Sequence, residues 1–373
     1  MTDPMEHAVR VAVRQLAAEA RPAALTDTAV AAGRQLLRRR RIAGAVLTAA
    51  AVIAAIGLPH LPLPADRSSP RPGTEVTEST RPIRPTTSAE ATPTRLTFAG
   101  PISLPGGWTI LSTGFPGSAV WNRDRRAYEG VNRDWVLVAP AGPYAAAAPD
   151  DPTDLTRVEI LDLRGRNPRT VSLGRRELGS APQWSPDGTR LLLTTIDTKT
   201  PTTFITILDA GSGDLTSWPI DKRYLCTGWC RLTWTRDGTE VVWPLTDRSV
   251  PHDDSGLDPR SGLQLFSATD GHPTRTLPVR GDVSGPFAWS PTGRYVIVAG
   301  AVVSGGQRTQ KNWLVDVGTG AVVRTFPDGA PYWIANDRLL LAGGGLMITL
   351  VDPTGAPLAL FESPAMAALL GPA

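Results

Sequence analysis

Charged and polar side chains all but vanish from the chain between residues 42 and 58, where IAGAVLTAAAVIAAIGL leaves Thr48 as the lone polar group. A helix there shows a bilayer almost nothing it would reject. At about 1.5 Å per residue it measures roughly 25 Å, the lower limit for a span. The stretch behind it has the opposite character. Residues 65–97, ADRSSPRPGTEVTESTRPIRPTTSAEATPTRLT, hold few large apolar side chains and many Pro, Ser and Thr, which predicts an extended, disordered stalk. Beyond it, apolar runs such as Leu191-Leu192-Leu193 and Val296-Ile297-Val298 alternate with clusters of Pro, Asp and Gly. Apolar residues in direct succession predict strands covered on both faces.

Ahead of the apolar stretch, Asp3-Pro4 starts a short helix, Val9, Val13, Leu16 and Ala20 share one face, and Pro22 ends it. Arg38-Arg39-Arg40-Arg41 stand directly before Ile42. Such a positive block holds its side of the membrane in the cytoplasm and directs the remainder outward. The expected organisation is a cytoplasmic amphipathic helical segment (1–41), a transmembrane signal-anchor helix (42–60), the stalk (61–97) and an extracytoplasmic domain (98–373), in a single-pass cell-membrane protein. A cleaved leader and a buried core helix are the rivals. Against them, Leu58-Pro59-His60-Leu61 holds no small-x-small cleavage pattern, and the stalk offers a core helix nothing to pack on. The amphipathic segment is read as resting on the bilayer in preference to docking a cytosolic partner.

Self-similarity organises the exported part. APQWSPDGTRLLLTT (181–195), RLTWTRDGTEVVWPL (231–245), PFAWSPTGRYVIVAG (286–300) and APYWIANDRLLLAGG (330–344) align, with a weaker match in GSAVWNRDRRAYEGV (117–131). Their Trp121, Trp184, Trp234, Trp289 and Trp333 stand about 53 residues apart on average, a spacing at the long end for propeller blades. A second hairpin completes each repeat, as in FITILDAGSGDLTSWPI and NWLVDVGTGAVVRTFPD. In Ser185-Pro186-Asp187-Gly188, Pro presets one turn position, Asp bonds its own backbone and Gly takes the left-handed conformation that closes the hairpin. The five Trp are expected to pack between blades. RLTFAGPISL (95–104) and GWTILST (107–113) remain as spare strands, a sixth blade or ring-closing additions.

The motif W-S-P-D-G before an apolar strand resembles the TolB-type, WD40-like β-propeller repeat over roughly residues 115–363. Trp184 to Gly188 matches fully, Thr292 replaces Asp in the repeat of Trp289, and Thr235-Arg236 replace Ser-Pro in that of Trp234. Helix, arginine run, anchor and stalk together resemble the membrane-tethered propeller proteins of actinobacteria. The implied fold is an all-β propeller of five or six blades behind one transmembrane helix and short cytoplasmic helices. The resemblance implies no activity.

A formal charge of +3 from 38 basic and 35 acidic residues gives nucleic-acid binding no support. If the Trp-bearing strand is the first of four in each repeat, tight turns fall on one rim and long connections on the other. The long ones are 140–156, 246–262, 302–311 and the segment around Cys226 and Cys230. Tyr144, Trp229, His252, Asp253, Asp254, Asp258 and Arg308 are the candidate binding residues on that rim. Cys226 and Cys230, the two cysteines of the chain, point to a local disulfide in an oxidising compartment, with free thiols or a metal or redox role as alternatives. His252-Asp253-Asp254 lack the spacing of a calcium loop, Arg280-Gly281-Asp282 is short enough to arise by chance, and no metal or cofactor is assigned. No nucleophile elbow or phosphate loop occurs. The expectation is a non-catalytic binding or scaffold module for protein or cell-envelope glycan, the alternative a surface hydrolase using acidic residues at the ring centre. Oligomeric state is left open.

Overall fold

An indole stabilises a fold where neighbouring strands enclose it. The computed structural model describes residues 93–373 apart from 99, 114–117, 132, 134, 150–153, 229, 252–257, 305–306, 327–328, 344–345 and 365–368. Trp184, Trp234, Trp289 and Trp333 are almost fully buried, and each packs on the blade before its own. Trp184 lies against Ala146, Val158 and Ile160, Trp234 against Leu192 and Ile205, Trp289 against Val242 and Leu263, and Trp333 against Ile297 and Leu314. Apolar clusters of this kind join six sheets into a closed ring, a six-bladed β-propeller.

From the axis outward, blade 2 comprises Val136–Val138, Tyr144–Ala147, Arg157–Asp162 and Arg166–Ser172. Blade 3 comprises Gln183–Trp184, Arg190–Asp197, Thr203–Asp209 and Leu215–Pro219, with Arg176–Leu178 also paired to its second strand. Blade 4 has Thr233–Trp234, Glu240–Thr246, Arg260–Ser267 and Pro273–Leu277; blade 5 has Asp282–Val283, Tyr295–Ser304, Gln307–Asp316 and Val322–Phe326; blade 6 has Ala330–Ala335, Arg338–Ala342, Met347–Val351 and Pro357–Glu362. Blade 1 draws on both ends of the domain. Its inner strand is Leu369–Pro372, followed by Trp108–Ser112, Ser118–Asn122 and Ala127–Val131. Leu370 pairs with Ile110 and Pro372 with Trp108.

The spare strand GWTILST is thus the second strand of the blade that closes the ring, and five visible repeats give six blades. The frame of the first repeat needs correction. Trp121 stands on the third strand of blade 1 and packs forward onto Val136, Val138 and Leu161 of blade 2. Val138 occupies the place that Trp holds elsewhere: Ala139 N bonds Tyr144 O at 2.9 Å as Ser185 N bonds Arg190 O at 2.8 Å. Residues 140–143 are therefore the inner hairpin turn of blade 2 and no part of a long connection. Residues 302–311 are corrected likewise. Ser304 pairs with Gln307, and these two strands of 10 residues run on beyond Ala299, where pairing with the inner strand of blade 5 ends; the β-branched Val302 and Val303 favour strand.

Turns between first and second and between third and fourth strands lie on one rim, here the hairpin rim, and the links between second and third strands and from blade to blade on the opposite, loop rim. Thr94–Arg95 adds a parallel strand to the outer edge of blade 6, fixed by Arg95 Nε to Glu362 Oε2 at 3.1 Å. The outer strand of blade 6 runs from the hairpin rim to the loop rim, and Thr94–Arg95 runs in the same direction beside its last residues, Phe361 and Glu362. Residues 1–92, with the anchor, the cytoplasmic segment and nearly all of the stalk, lie outside the described residues. No helix among the described residues is long and apolar enough to cross a membrane.

Candidate functional site

Blade 5 departs from its neighbours at the axis. Val283 pairs with Val298 and Trp289 with Val296, so residues 284–288 stand opposite Ile297 alone. The surplus chain turns through a short 3-10 helix, Pro286–Ala288, and bulges inward. It carries the Ser284 carbonyl to the axis, where Gln183 Nε2 of blade 3 donates to it at 2.9 Å and Arg231 Nη2 of blade 4 at 3.2 Å. Arg231 also feels the charge of Asp282 and faces Tyr332 of blade 6. A side chain that reaches blades 5 and 6 while rooted beside blade 4, and shares the Ser284 carbonyl with Gln183 of blade 3, lies near the ring axis.

Phe287 of the bulge forms a floor. Its ring stands 5.0 Å from that of Trp108, which in turn lies 5.8 Å from Tyr332. Below it the Arg236 guanidinium, 5.6 Å from the Phe287 ring, donates to Trp289 O at 3.0 Å and Trp333 O at 3.2 Å. Arg236 replaces the Pro of the full motif, and its reach across two blades explains the exchange. The indole N–H groups differ in their partners. Trp184 Nε1 donates to Leu137 O and Trp234 Nε1 to Gln183 O, but Trp289 Nε1 and Trp333 Nε1, on either side of the bulge, are buried without a partner.

Toward the loop rim the wall is ionic. Arg260 Nε donates to Asp282 Oδ1 at 2.9 Å, and Arg260 Nη1 to Thr227 O at 2.9 Å. Thr227 Oγ1 donates to Asp258 Oδ2 at 2.5 Å, and Thr227 N to Thr246 Oγ1 at 2.8 Å. Thr227 sits inside the Cys226–Cys230 disulfide loop, which holds its backbone where these bonds need it. Arg260 exposes 1 % of its side chain, whereas Asp282 keeps 40 % of its own open although the surrounding blades enclose it. Burial pushes the Asp282 carboxyl up, and Arg260 and Arg231 pull it part of the way back. Burial also lowers Arg231 and pushes the Tyr332 phenol to about 12, so the phenol stays protonated.

Of the residues singled out in the sequence, Asp258 joins this cluster, 3 % exposed. Tyr144 does not. It opens the second strand of blade 2, pairs with Asp162 and lies at the hairpin rim, half-buried against the core. Trp229, His252, Asp253 and Asp254 lie outside the described residues, as does the side chain of Arg308, whose backbone pairs with Val303. Arg231, Gln183, Ser284, Phe287 and Tyr332 were not singled out, and Asp282 was set aside as part of a chance tripeptide. A signal existed in the spacing. Arg231 and Asp282 hold matching places on their inner strands, yet Asp282 precedes its Trp by a longer interval than Arg231 does, and the excess is the bulge. Among the described residues no three His, Cys, Asp or Glu side chains gather as metal ligands.

No protein-family model matches the chain, and no curated protein sequence matches it. Among solved structures it is similar to the β-propeller domain of the Trilobed protease from Pyrococcus furiosus, with 13 % identity, 72 % of this chain and 84 % of that one covered, and a TM-score of 0.44. It is similar also to Kuenenia stuttgartiensis hydrazine synthase (14 % identity, 71 % and 80 % covered, TM-score 0.43) and to Pyrococcus horikoshii acylaminoacyl peptidase (11 % identity, 66 % and 36 % covered, TM-score 0.34). The six-bladed ring is defined by the strand pairing of this chain itself.

Proposed function

We propose that the chain is a membrane-tethered, non-catalytic binding module that presents its loop rim to protein or cell-envelope glycan outside the cell. One observation carries this reading: Thr94–Arg95 runs parallel to the outer strand of blade 6, directed from the hairpin rim toward the loop rim. A tether at residues 42–60 then turns the loop rim, with its disulfide-held loop and ionic recess, away from the bilayer. The hydrolase alternative is weaker at the described residues. Glycoside hydrolysis needs two carboxyl groups flanking one bond, whereas Asp282 is open to the recess and Asp258 is buried against Thr227.

Two measurements test the reading. In intact cells, Cys226 and Cys230 should react after mild reduction with a thiol reagent that cannot cross membranes; reaction only after lysis overturns the orientation. The full chain in detergent should sediment with isolated envelope material and leave it chemically unchanged. Release of new reducing ends, or no retention at all, overturns the binding-module reading.

A further inference from the structure

We propose that the outer hairpin turns of blades 1 and 2 form a docking surface for the phosphate headgroups of anionic lipids in the bilayer that holds the tether. The inference rests on the tethered reading, which turns the hairpin rim toward that bilayer, and adds what the rim does there.

Each blade has one outer turn on the hairpin rim, between its third and fourth strands. In blades 2 to 6 a glycine takes the left-handed place in that turn: Gly165, Gly213, Gly271, Gly320 and Gly355, with φ between 71° and 92°. In blade 1 the residue there is Arg126, with φ of 50°, and among the described residues no other side chain stands on positive φ. Arg126 N bonds Arg123 O at 3.3 Å as Gly165 N bonds Asp162 O at 3.0 Å. A Cβ in this conformation strains the backbone, and glycine would relieve it. Nothing in the fold offsets the strain. The Arg126 side chain is exposed and makes no hydrogen bond or ion pair among the described residues. Strained residues of this kind gather where function holds them.

Charge sets the same turns apart. Blade 1 reads Asn122-Arg123-Asp124-Arg125-Arg126 and blade 2 Asp162-Leu163-Arg164-Gly165-Arg166, whereas the turns of blades 3 to 6 carry Asp209, Asp214, Asp270, Asp316 and Asp352 and neither Lys nor Arg. Asp162, Asp209, Asp316 and Asp352 each accept an N–H of their own turn through Oδ1; Asn122 Oδ1 accepts from Arg125 N in the same way, without a charge. The acidic turns have basic neighbours: Arg294 stands 3.5 Å from Asp316, and Arg169 and Arg324 donate to Gly211 O and Thr354 O. Blades 1 and 2 hold a surplus instead. Glu129 pairs with Arg125 at 3.0 Å, Asp162 with Arg164 at 2.9 Å, and Asp124 adds to the field at Arg164. Those three acids face five arginines, counting Arg166, whose side chain lies outside the described residues.

The two turns make one surface. Asn122 Nδ2 donates to Leu163 O at 2.7 Å, and a Cβ at Gly165 would lie 3.9 Å from Arg125 Nη2. Arg125 and Arg164 are 63 % and 41 % exposed, on turn tips that meet a plane more readily than they enclose a small anion. Position selects the plane. Blade 1 packs on blade 6, whose outer edge holds Thr94–Arg95, so the stalk keeps this sector close to the bilayer. Arginines beside an anionic leaflet are drawn to its negative potential, and the pull fades within a Debye length.

The test places the full chain, through its anchor, in nanodiscs of phosphatidylcholine alone or with about one phosphatidylglycerol in three lipids, and follows amide exchange. Residues 122–127 and 162–166 should exchange about fivefold more slowly in the anionic discs, and about 0.5 M salt should abolish the difference. Arg126→Gly supplies the residue the other turns use, so it should melt no lower than the unaltered chain yet lose most of this protection. A merely structural arginine would lower the melting temperature and leave the lipid effect intact. Arg125→Gln, away from the left-handed position, serves should that variant fail to fold. Equal exchange in both discs, protection confined to the turns of blades 3 to 6, or protection untouched in the folded variants overturns the docking surface and leaves the tether standing. Equal protection in neutral discs by inorganic phosphate or an acidic peptide overturns it too. A full chain that does not enter neutral discs removes the tether, and the docking surface with it.

Discussion

Arg123 donates a hydrogen bond to the carbonyl of Pro372, 249 residues further along the chain, at 3.0 Å. The same guanidinium reaches Ala139 O, Pro140 O and Gly142 O at 3.0, 2.7 and 3.2 Å. One side chain on the outer turn of blade 1 thereby ties the closing strand to blade 2. Arg123→Ala should lower the unfolding free energy by about 3 kcal/mol, because charge-assisted bonds are lost and carbonyls are left unmet. Guanidinium denaturation measures it, and a loss under about 0.5 kcal/mol would show that Arg123 does not fasten the ring.

Gly188 and Gly293 hold the same turn position in their repeats, with φ of 69° and 70°, and a Cβ meets different surroundings at each. At Gly188 it would collide with the backbone of Ala141 in the neighbouring blade, whereas at Gly293 nothing lies within 4 Å. Gly293→Ala should cost about 1 kcal/mol, the price of a left-handed backbone alone. Gly188→Ala should cost at least about 2 kcal/mol more, since backbone must move. Equal melting temperatures for the two variants would refute the difference.

Reducing the Cys226–Cys230 bond frees a short loop and should lower stability by about 2 kcal/mol on a chain-entropy estimate. The change should concentrate near Thr227: amide exchange should rise at Thr227 and Arg260 before it rises in the inner strands of blades 2 and 6. Uniform loss of protection across all blades would contradict this local role.

How far the sequence disclosed the ring follows from what each blade needs for packing. Blades 3 to 6 announce themselves because Trp184, Trp234, Trp289 and Trp333 fill the same inter-blade place. In blade 2, Val138 fills it, since Trp121 arrives from the other side and takes the volume an indole would need. A repeat read from its tryptophan therefore slips frame there, and Tyr144 slips with it. The recess was harder to see. Arg231, Asp282 and Gln183 come from successive blades, and their meeting depends on residues 284–288 bulging inward, a backbone displacement that composition and periodicity do not encode.

Asp316 and Asp352, on outer hairpin turns, are held below the usual carboxylate range, Asp316 by the Thr319 backbone N–H and Asp352 by the Thr354 hydroxyl. A carboxylate with a depressed folded pKa stabilises the fold above its unfolded value near about pH 4 and loses that contribution as pH falls through the folded value. The paired substitutions Asp316→Asn and Asp352→Asn should flatten the decline of melting temperature between pH 4 and pH 2. An acid limb as steep as that of the unaltered chain would mean that other carboxylates govern it.

The closing strand, Leu369–Pro372, sets a clock on biosynthesis. Blades 2 to 6 can assemble in sequence as they emerge, but blade 1 waits with its inner edge unpaired, and Ile110 uncovered, until residues 369–372 have been made and have reached it. A chain without residues 369–372 has a ring with an open seam and a free strand edge, a surface that quality-control proteases and neighbouring chains can recognise. The closing strand thus acts as a latch, and a ring that stays shut reports that residues 369–372 have reached the edge of blade 1.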